Sequence, residues 1–200
     1  TFCSGTDGFV TTWYDQSGNS ANAANATASG QPKIVSSGST ILDNSKPAFE
    51  FDGSNDYLRI SKRLNIANIA AVSVQDFKNV NGGQLSLTLS EGGGVQLYLN
   101  WNNVSGGFRD YYAGSPTSRT ATIGQKLQSF FTNGTNGIFY ENATQTSLHA
   151  IASGVSTTDI DIGRYVGGSV YSNSLFQEII VWESDQSTNR SGIETNINTH

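Results

Sequence analysis

Between positions 98 and 112 the chain gathers Tyr98, Trp101, Asn103, Arg109, Asp110, Tyr111 and Tyr112, its densest mixture of aromatic and hydrogen-bonding side chains. Aromatic faces stack on the C–H faces of sugar rings, while Asn, Asp and Arg bond hydroxyls in fixed directions. The mixture therefore suits a carbohydrate site with an apolar floor. Arg164 and Tyr165 extend the same chemistry. The candidate ligand-binding set is Tyr98, Trp101, Asn103, Arg109, Asp110, Tyr112, Arg164 and Tyr165. The competing expectation is ordinary sandwich packing, with the odd-numbered members in the core and the even-numbered ones on the surface.

Other chemistries have thinner support. His149 and His200 are the only histidines, so a Ser–His–Asp triad would rest on His149. That residue lies in Ser147-Leu148-His149-Ala150-Ile151, which reads as strand, and an ordinary strand histidine is the expectation. Cys3 is the single cysteine, which excludes an internal disulfide and a cysteine-based zinc site. Asp52, Asn55 and Asp56 form one acidic cluster, and Asp159 and Asp161 another. Calcium needs roughly six to eight oxygens and each cluster supplies only a few, so turn-stabilising aspartates are expected and no cofactor. Tyr14-Asp15-Gln16-Ser17-Gly18 reads as architecture, its side chains folding back onto backbone amides. Gly92-Gly93-Gly94 lacks the Lys and Ser/Thr of a phosphate loop and reads as a hairpin.

The elements that must carry these residues are strands. Gly, Ser, Thr and Asn supply 86 of the 200 residues, and only 14% are charged. Polarity from small uncharged side chains suits strands joined by turns and disfavours long helices. Phe9 to Tyr14, Ala48 to Phe51, Tyr57 to Ile60, Ala71 to Val74, Gln84 to Leu89, Val95 to Trp101, Leu127 to Thr132, Ile138 to Glu141 and Thr158 to Ile162 are short β-rich runs, most with period-two alternation. Gly and Asn turns separate them, which indicates an antiparallel sandwich or jelly roll. Leu175 to Trp182 is the most apolar run and should be a central strand. Beyond it, Ser184 or Asp185 can cap one helix running towards Asn198, with Ile193 and Ile197 laid onto the sheet.

A net charge of −5 offers no clustered positive field for nucleic acid or an anionic membrane surface. No apolar run approaches the ~20 residues of a membrane-spanning helix. The chain opens on Thr1 and holds no Met, so it reads as an excised piece: one domain over residues 1–200, a module of something longer.

Lys46-Pro47-Ala48-Phe49-Glu50-Phe51-Asp52-Gly53-Ser54-Asn55-Asp56-Tyr57-Leu58 resembles the early hairpin of concanavalin A-like, laminin-G-like jelly rolls. Phe176 to Trp182 with the helix after it resembles the closing elements of the same superfamily. The opening, Thr1-Phe2-Cys3 through Trp13-Tyr14-Asp15-Gln16-Ser17-Gly18-Asn19, resembles the catalytic domain of α-L-arabinofuranosidase B. In that family a second Cys closely follows the first, and the matching place here is Gly8. The family is a retaining glycosidase, which implies two carboxyls about 5–5.5 Å apart. The resemblance places Trp101 where the nucleophilic Glu would stand and Tyr165 near the place of the acid/base Asp.

These expectations combine into an all-β, concanavalin A-like antiparallel sandwich with a short C-terminal helix. The leading function is a non-catalytic, lectin-like module of a phage structural or bacterial surface protein. It would bind glycan, possess no cofactor, sit on a cell surface or virion, and touch neighbouring subunits there. Two alternatives accompany it. A glycosidase would need a carboxyl pair drawn from Glu50, Glu91, Asp110, Glu141 or Glu178, and an architectural module would bind no ligand.

Overall fold

The computed structural model describes residues 3–79, 84–91, 94–104, 107–120, 122–151, 156–157, 159–165 and 170–199, with side chains described over most of these. In chain order the strands begin with β1 (Gly8–Phe9), β2 (Thr12–Trp13), β3 (Ala23–Ala24), β4 (Lys33–Ser36), β5 (Ser39–Thr40), β6 (Leu42–Asp43) and β7 (Lys46–Pro47). They continue with β8 (Phe49–Asp52), β9 (Leu58–Ile60), β10 (Leu64–Asn65), β11 (Ala70–Phe77), β12 (Gln84–Glu91), β13 (Gly94–Val104) and β14 (Gly107–Tyr112). The last seven are β15 (Ser115–Thr120), β16 (Gly124–Thr132), β17 (Asn136–Glu141), β18 (Thr144–Ala150), β19 (Ser156–Thr157), β20 (Asp159–Ile162) and β21 (Asn173–Trp182). One helix, α1 (Arg190–Thr199), closes the chain.

Two large antiparallel sheets face each other, and the all-β antiparallel sandwich expected from the sequence is what forms. The front sheet runs β15-β14-β13-β12-β20-β9-β3-β2, and the back sheet β1-β4-β8-β21-β11-β16-β17-β18 with β5 on β4. Small pairs, β6–β7 and β10–β19, flank them. The core lies between the sheets, where Leu58, Leu87, Leu89, Leu97, Leu99, Ile160 and Ile162 of the front meet Phe51, Ala71, Phe130, Phe139 and Phe176 of the back. β21 lies between β8 and β11, the interior position that its apolar run requires.

Two local expectations shift. The run from Phe9 to Tyr14 is not one strand: Phe9 ends at the edge of the back sheet, and Thr12–Trp13 joins the edge of the front sheet. Val10 donates its N–H to Pro32 O and turns its side chain to the core at the crossing, so the alternation there is a change of sheet. At the other end, Asp185 does accept the Ser187 N–H at 2.8 Å, but Ser187–Asn189 form a 3-10 turn whose N-cap position is Gln186, and α1 begins at Arg190. Ile193 and Ile197 pack onto Ala70, Val72, Leu127 and Phe131 as the spacing predicts. Glu194 is buried beneath the helix, where Ser129 Oγ–H donates to it at 2.7 Å.

Candidate functional site

Alternation in the front strands decides what can become a site. Sending Leu87 and Leu89, Leu97 and Leu99, and Ile160 and Ile162 inward leaves Thr88, Tyr98 and Asp161 on the outer face. The register lines these residues into one rung across the whole sheet: Pro116, Tyr111, Tyr98, Thr88, Asp161, Arg59, Ala24 and Thr12 are successive cross-strand partners. Directly opposed residues share a face and interact, so the rung is a continuous row of side chains across eight strands, with Tyr98, Thr88 and Asp161 at its centre covered by their neighbours.

Asp161 is its fixed point. The carboxylate is completely buried, and it accepts Arg59 Nε at 2.6 Å and Nη2 at 2.9 Å together with Arg164 Nε at 2.7 Å. A bidentate guanidinium contact is both strong and directional, so one aspartate fixes two arginines. Asp161 in turn keeps the Arg59 guanidinium protonated above its ordinary range. Arg59 Nη1 also lies 3.9 Å from Asp159, and Arg164 lies 3.4 Å from the centre of the Tyr57 ring, over its face.

A loop after β20 supplies the rest. Gly163 has φ +80°, and a Cβ there would meet Phe51 Cδ1 at 2.3 Å, so this position accepts only glycine. Ser172, just before β21 of the back sheet, donates its N–H to Gly163 O at 2.7 Å. Tyr165 N–H donates to Val170 O, and Thr88 Oγ1–H donates to Arg164 O at 2.9 Å. The loop sets Tyr165 against Tyr98, ring centres 5.7 Å apart and nearly parallel, while Tyr111 meets Tyr98 edge-on at 5.0 Å. Tyr98 is thereby sealed beneath its neighbours, and burial pushes its phenol well above the ordinary range. Tyr111, Tyr165, Arg59 and Arg164 remain partly open to solvent.

The sequence-expected residues divide accordingly. Tyr98, Arg164 and Tyr165 come together on the outer face, and Arg109 shares that face with Tyr111, two residues along β14. Asp110 and Tyr112 do not belong there. Both point inward by the same alternation, which reverses the expectation that odd-numbered members of this stretch would be core. Tyr112 packs on Phe130 at 5.2 Å and donates its O–H to Ile66 O at 3.1 Å. The side chains of Trp101 and Asn103 lie outside the described residues; in register, Trp101 pairs with Arg109. Sequence reasoning missed Arg59, Thr88 and Tyr57 as neighbours of the aromatic cluster, and weighed Asp161 only for calcium. The available signal was that Arg59 and Asp161 each stand between inward-pointing aliphatic residues.

Asp110 anchors a second polar cluster, between the sheets at the β14–β18 edge. Its carboxylate accepts Arg119 Nε at 3.2 Å, Thr146 Oγ1 at 2.6 Å and Ser147 Oγ at 3.0 Å. Arg119 also pairs with Glu141 and donates to Gln128 Oε1 at 3.3 Å. His149 Nε2 lies 3.1 Å from Ser147 Oγ. Asp110 bonds the serine rather than the histidine, so the order of a catalytic triad is not met, and His149 is the buried strand histidine expected. Of the other carboxylates proposed for a glycosidase, Glu50 and Glu178 stand on back-sheet strands, and the side chain of Glu91 is outside the described residues.

Three sequence motifs take local roles. Asp15 accepts Ser17 N–H at 2.8 Å, Ser17 Oγ–H at 2.8 Å and Ala21 N–H at 3.0 Å, which lowers its carboxyl to about 2. Asp52 accepts the amides of Ser54 and Asn55, and Asp56 accepts the amide of Asp52. A Cβ on Gly8 would lie 3.0 Å from Cys3 Sγ, which is the reach of a disulfide partner with an S–S bond of about 2.05 Å.

The fold and this face define a class, the two-sheet jelly-roll sandwich with an aromatic and arginine-rich outer surface. No protein-family model matches the sequence, and no curated protein matches it. Among solved structures, an arabinofuranosidase complexed with arabinofuranosyl-α-1,2-xylobiose superposes with TM-score 0.70 at 15% identity, over 98% of this chain and 52% of that one. A mutant GH54 α-L-arabinofuranosidase soaked with 4-nitrophenyl α-L-arabinofuranoside gives 0.68 at 13% identity, with the same coverage. The Trypanosoma rangeli sialidase in complex with sialic acid gives 0.64 at 12% identity, over 89% of this chain and 30% of that one. This chain therefore spans about half of the first two and less than a third of the third, and at these identities the likeness is one of fold.

Proposed function

We propose that the domain is a non-catalytic, lectin-like module that binds glycan on the outer face of its front sheet. The observation that carries this reading is the state of Asp161. It is the carboxylate at the centre of the aromatic and arginine surface, and it is buried and spent on two guanidiniums. A retaining glycosidase needs an exposed carboxyl to attack and another to protonate. A lectin needs fixed donors beside an aromatic face, and Asp161 fixes Arg59 and Arg164 beside Tyr165 and Tyr111. In this reading the sugar stacks on Tyr165 and Tyr111, and the arginines donate to its hydroxyls. The setting that suits such a module is a cell-surface or virion assembly in contact with its neighbours, and no metal is required.

A glycan array with the wild-type domain, Tyr165→Ala and Trp101→Ala tests the proposal, beside an assay for arabinose release from 4-nitrophenyl arabinofuranoside. The expected result is binding that Tyr165→Ala abolishes, without release. Turnover by the wild type would overturn the non-catalytic reading, and absence of all binding would overturn the lectin reading.

A further inference from the structure

The Tyr14-Asp15-Gln16-Ser17-Gly18 motif has no part in the front-face site, yet it is among the most heavily hydrogen-bonded turns of the surface. Asp15 holds three donors from Ser17 and Ala21, the Asp15 N–H itself donates to Asn22 Oδ1 at 2.9 Å, and Gln16 Nε2 donates to Tyr14 O at 3.0 Å. The product of this effort is a tyrosine ring held in water: Tyr14 is 66% exposed, and Phe9, across a groove from it, is 51% exposed. Trp13 forms the groove's inner wall, locked edge-on against Phe49 with ring centres 4.7 Å apart. The groove occupies about 570 Å3 where the edges of the two sheets meet.

We propose that this groove is a second carbohydrate site, independent of the front face, that takes a neutral sugar. None of its nine lining residues is charged, and Lys33 Nζ, 5.8 Å from the centre of the Phe9 ring, is paired with Asp7 at 2.9 Å, so the groove has no uncompensated cation for a carboxylate or sulfate on a ligand. Thr11, Thr12 and Gln16 place hydroxyl and amide groups among the rings. A purely apolar guest would strip water from the Thr11 and Thr12 hydroxyls and the Gln16 amide oxygen, whereas a sugar offers a C–H face to Tyr14 and Trp13 and hydroxyls to these polar groups. Rigidity is the second argument. A side chain carried on a fixed backbone has less freedom to lose on contact; the Asp15 network holds the backbone after Tyr14, and the pairing of Trp13 with Ala23 holds it before. Thr12 also ends the front-face rung, through Ala24 and Arg59, so the groove opens onto the same surface.

The experiment follows the Trp13 indole N–H signal in 15N-labelled protein, assigned by Trp13→Phe, during titration with xylopentaose, cellopentaose, maltopentaose and trigalacturonate. At least one neutral pentasaccharide should shift it saturably, and trigalacturonate should not. Tyr14→Ala, a change at an exposed ring, should weaken that binding by at least about tenfold with the melting temperature unchanged. Asp15→Asn should weaken it less, as a positioning change. Tyr165→Ala should leave it intact, which separates this site from the front face: either can fail while the other stands. Three results would overturn the inference: no shift with any neutral sugar, an equal shift with trigalacturonate, or a Trp13 signal that moves with protein concentration. The last would show that a second copy of the chain fills the groove.

Discussion

The molecule holds two buried aspartates clamped by arginine, and they serve opposite ends. Asp161 on the front sheet and Asp110 between the sheets have side chains 0% and 1% exposed. At Asp161 the arginines reach back towards solvent, with 32% of the Arg59 side chain and 14% of that of Arg164 accessible. At Asp110 the single guanidinium of Arg119, with 13% of its side chain accessible, gives its other donors to Glu141 and Gln128. Burial of a carboxylate therefore does not identify a site. What distinguishes the two clusters is the use made of the cationic partners: Arg59, 32% accessible, borders the open aromatic face, whereas Arg119 bonds a second carboxylate and an amide on neighbouring strands. The first is a positioning device for an open face, and the second is a polar staple joining β14 and β15 to β16, β17 and β18.

The largest effect expected from this contrast is on stability at the interior cluster. Asp110→Ala removes the acceptor of Thr146 and Ser147 and one of the two carboxylates on Arg119, and losing these hydrogen bonds to a buried charge costs about 3 kcal/mol. Urea denaturation should show that loss, while glycan affinity of the still-folded fraction stays at the wild-type value. A loss below about 1 kcal/mol would mean that the interior cluster is a solvated edge feature.

Asp161→Asn sharpens the contrast from the other side. Asparagine keeps the shape but not the charge, so the hydrogen bonds from Arg59 and Arg164 weaken, at about 2 kcal/mol. Here glycan affinity should fall together with stability, by about tenfold, because the arginines lose their fixed positions. Stability loss with unchanged affinity on the array would reduce Asp161 to a second structural staple.

How much of this was legible in the sequence follows from the physics of strands. The sandwich, the central position of Leu175 to Trp182 and the seat of Ile193 and Ile197 rest on periodicity, which is a local property. The face to which a strand residue belongs rests on register. One residue of slip inverts it, and this is why Asp110 and Tyr112 were grouped with outward-facing Tyr98 when they belong to the core. The meeting of Arg59, Asp161 and Tyr98 depends on the strand order β13-β12-β20-β9, which joins segments far apart in the chain. The sequence singles out Tyr165 by its residue type and by the arabinofuranosidase resemblance. That it would be folded over Tyr98 depends on Gly163, whose need for a positive φ no composition reveals.

The remaining predictions concern buried titratable groups near each cluster that lack a guanidinium clamp, and they respond to pH in opposite directions. Asp56, just before the Tyr57 that carries Arg164, is held by a backbone amide, and burial raises its carboxyl to about 6. Its contribution to stability is complete below the ordinary value of about 4 and is lost as pH rises through about 6. Asp56→Asn should therefore match the wild type near pH 4 and exceed it by about 2 kcal/mol near pH 7, read as urea midpoints across that range. His149 behaves conversely. Burial lowers its pKa despite the opposing pull of Asp110, so its contribution is present above about 6.5 and is lost as pH falls through the lowered value. His149→Gln should remove that acid-side slope, a smaller effect than the first because Asp110 offsets part of the burial. A mutant difference flat with pH at Asp56 would show that water reaches its carboxylate, and the front-side turn would then be as open as the face it supports.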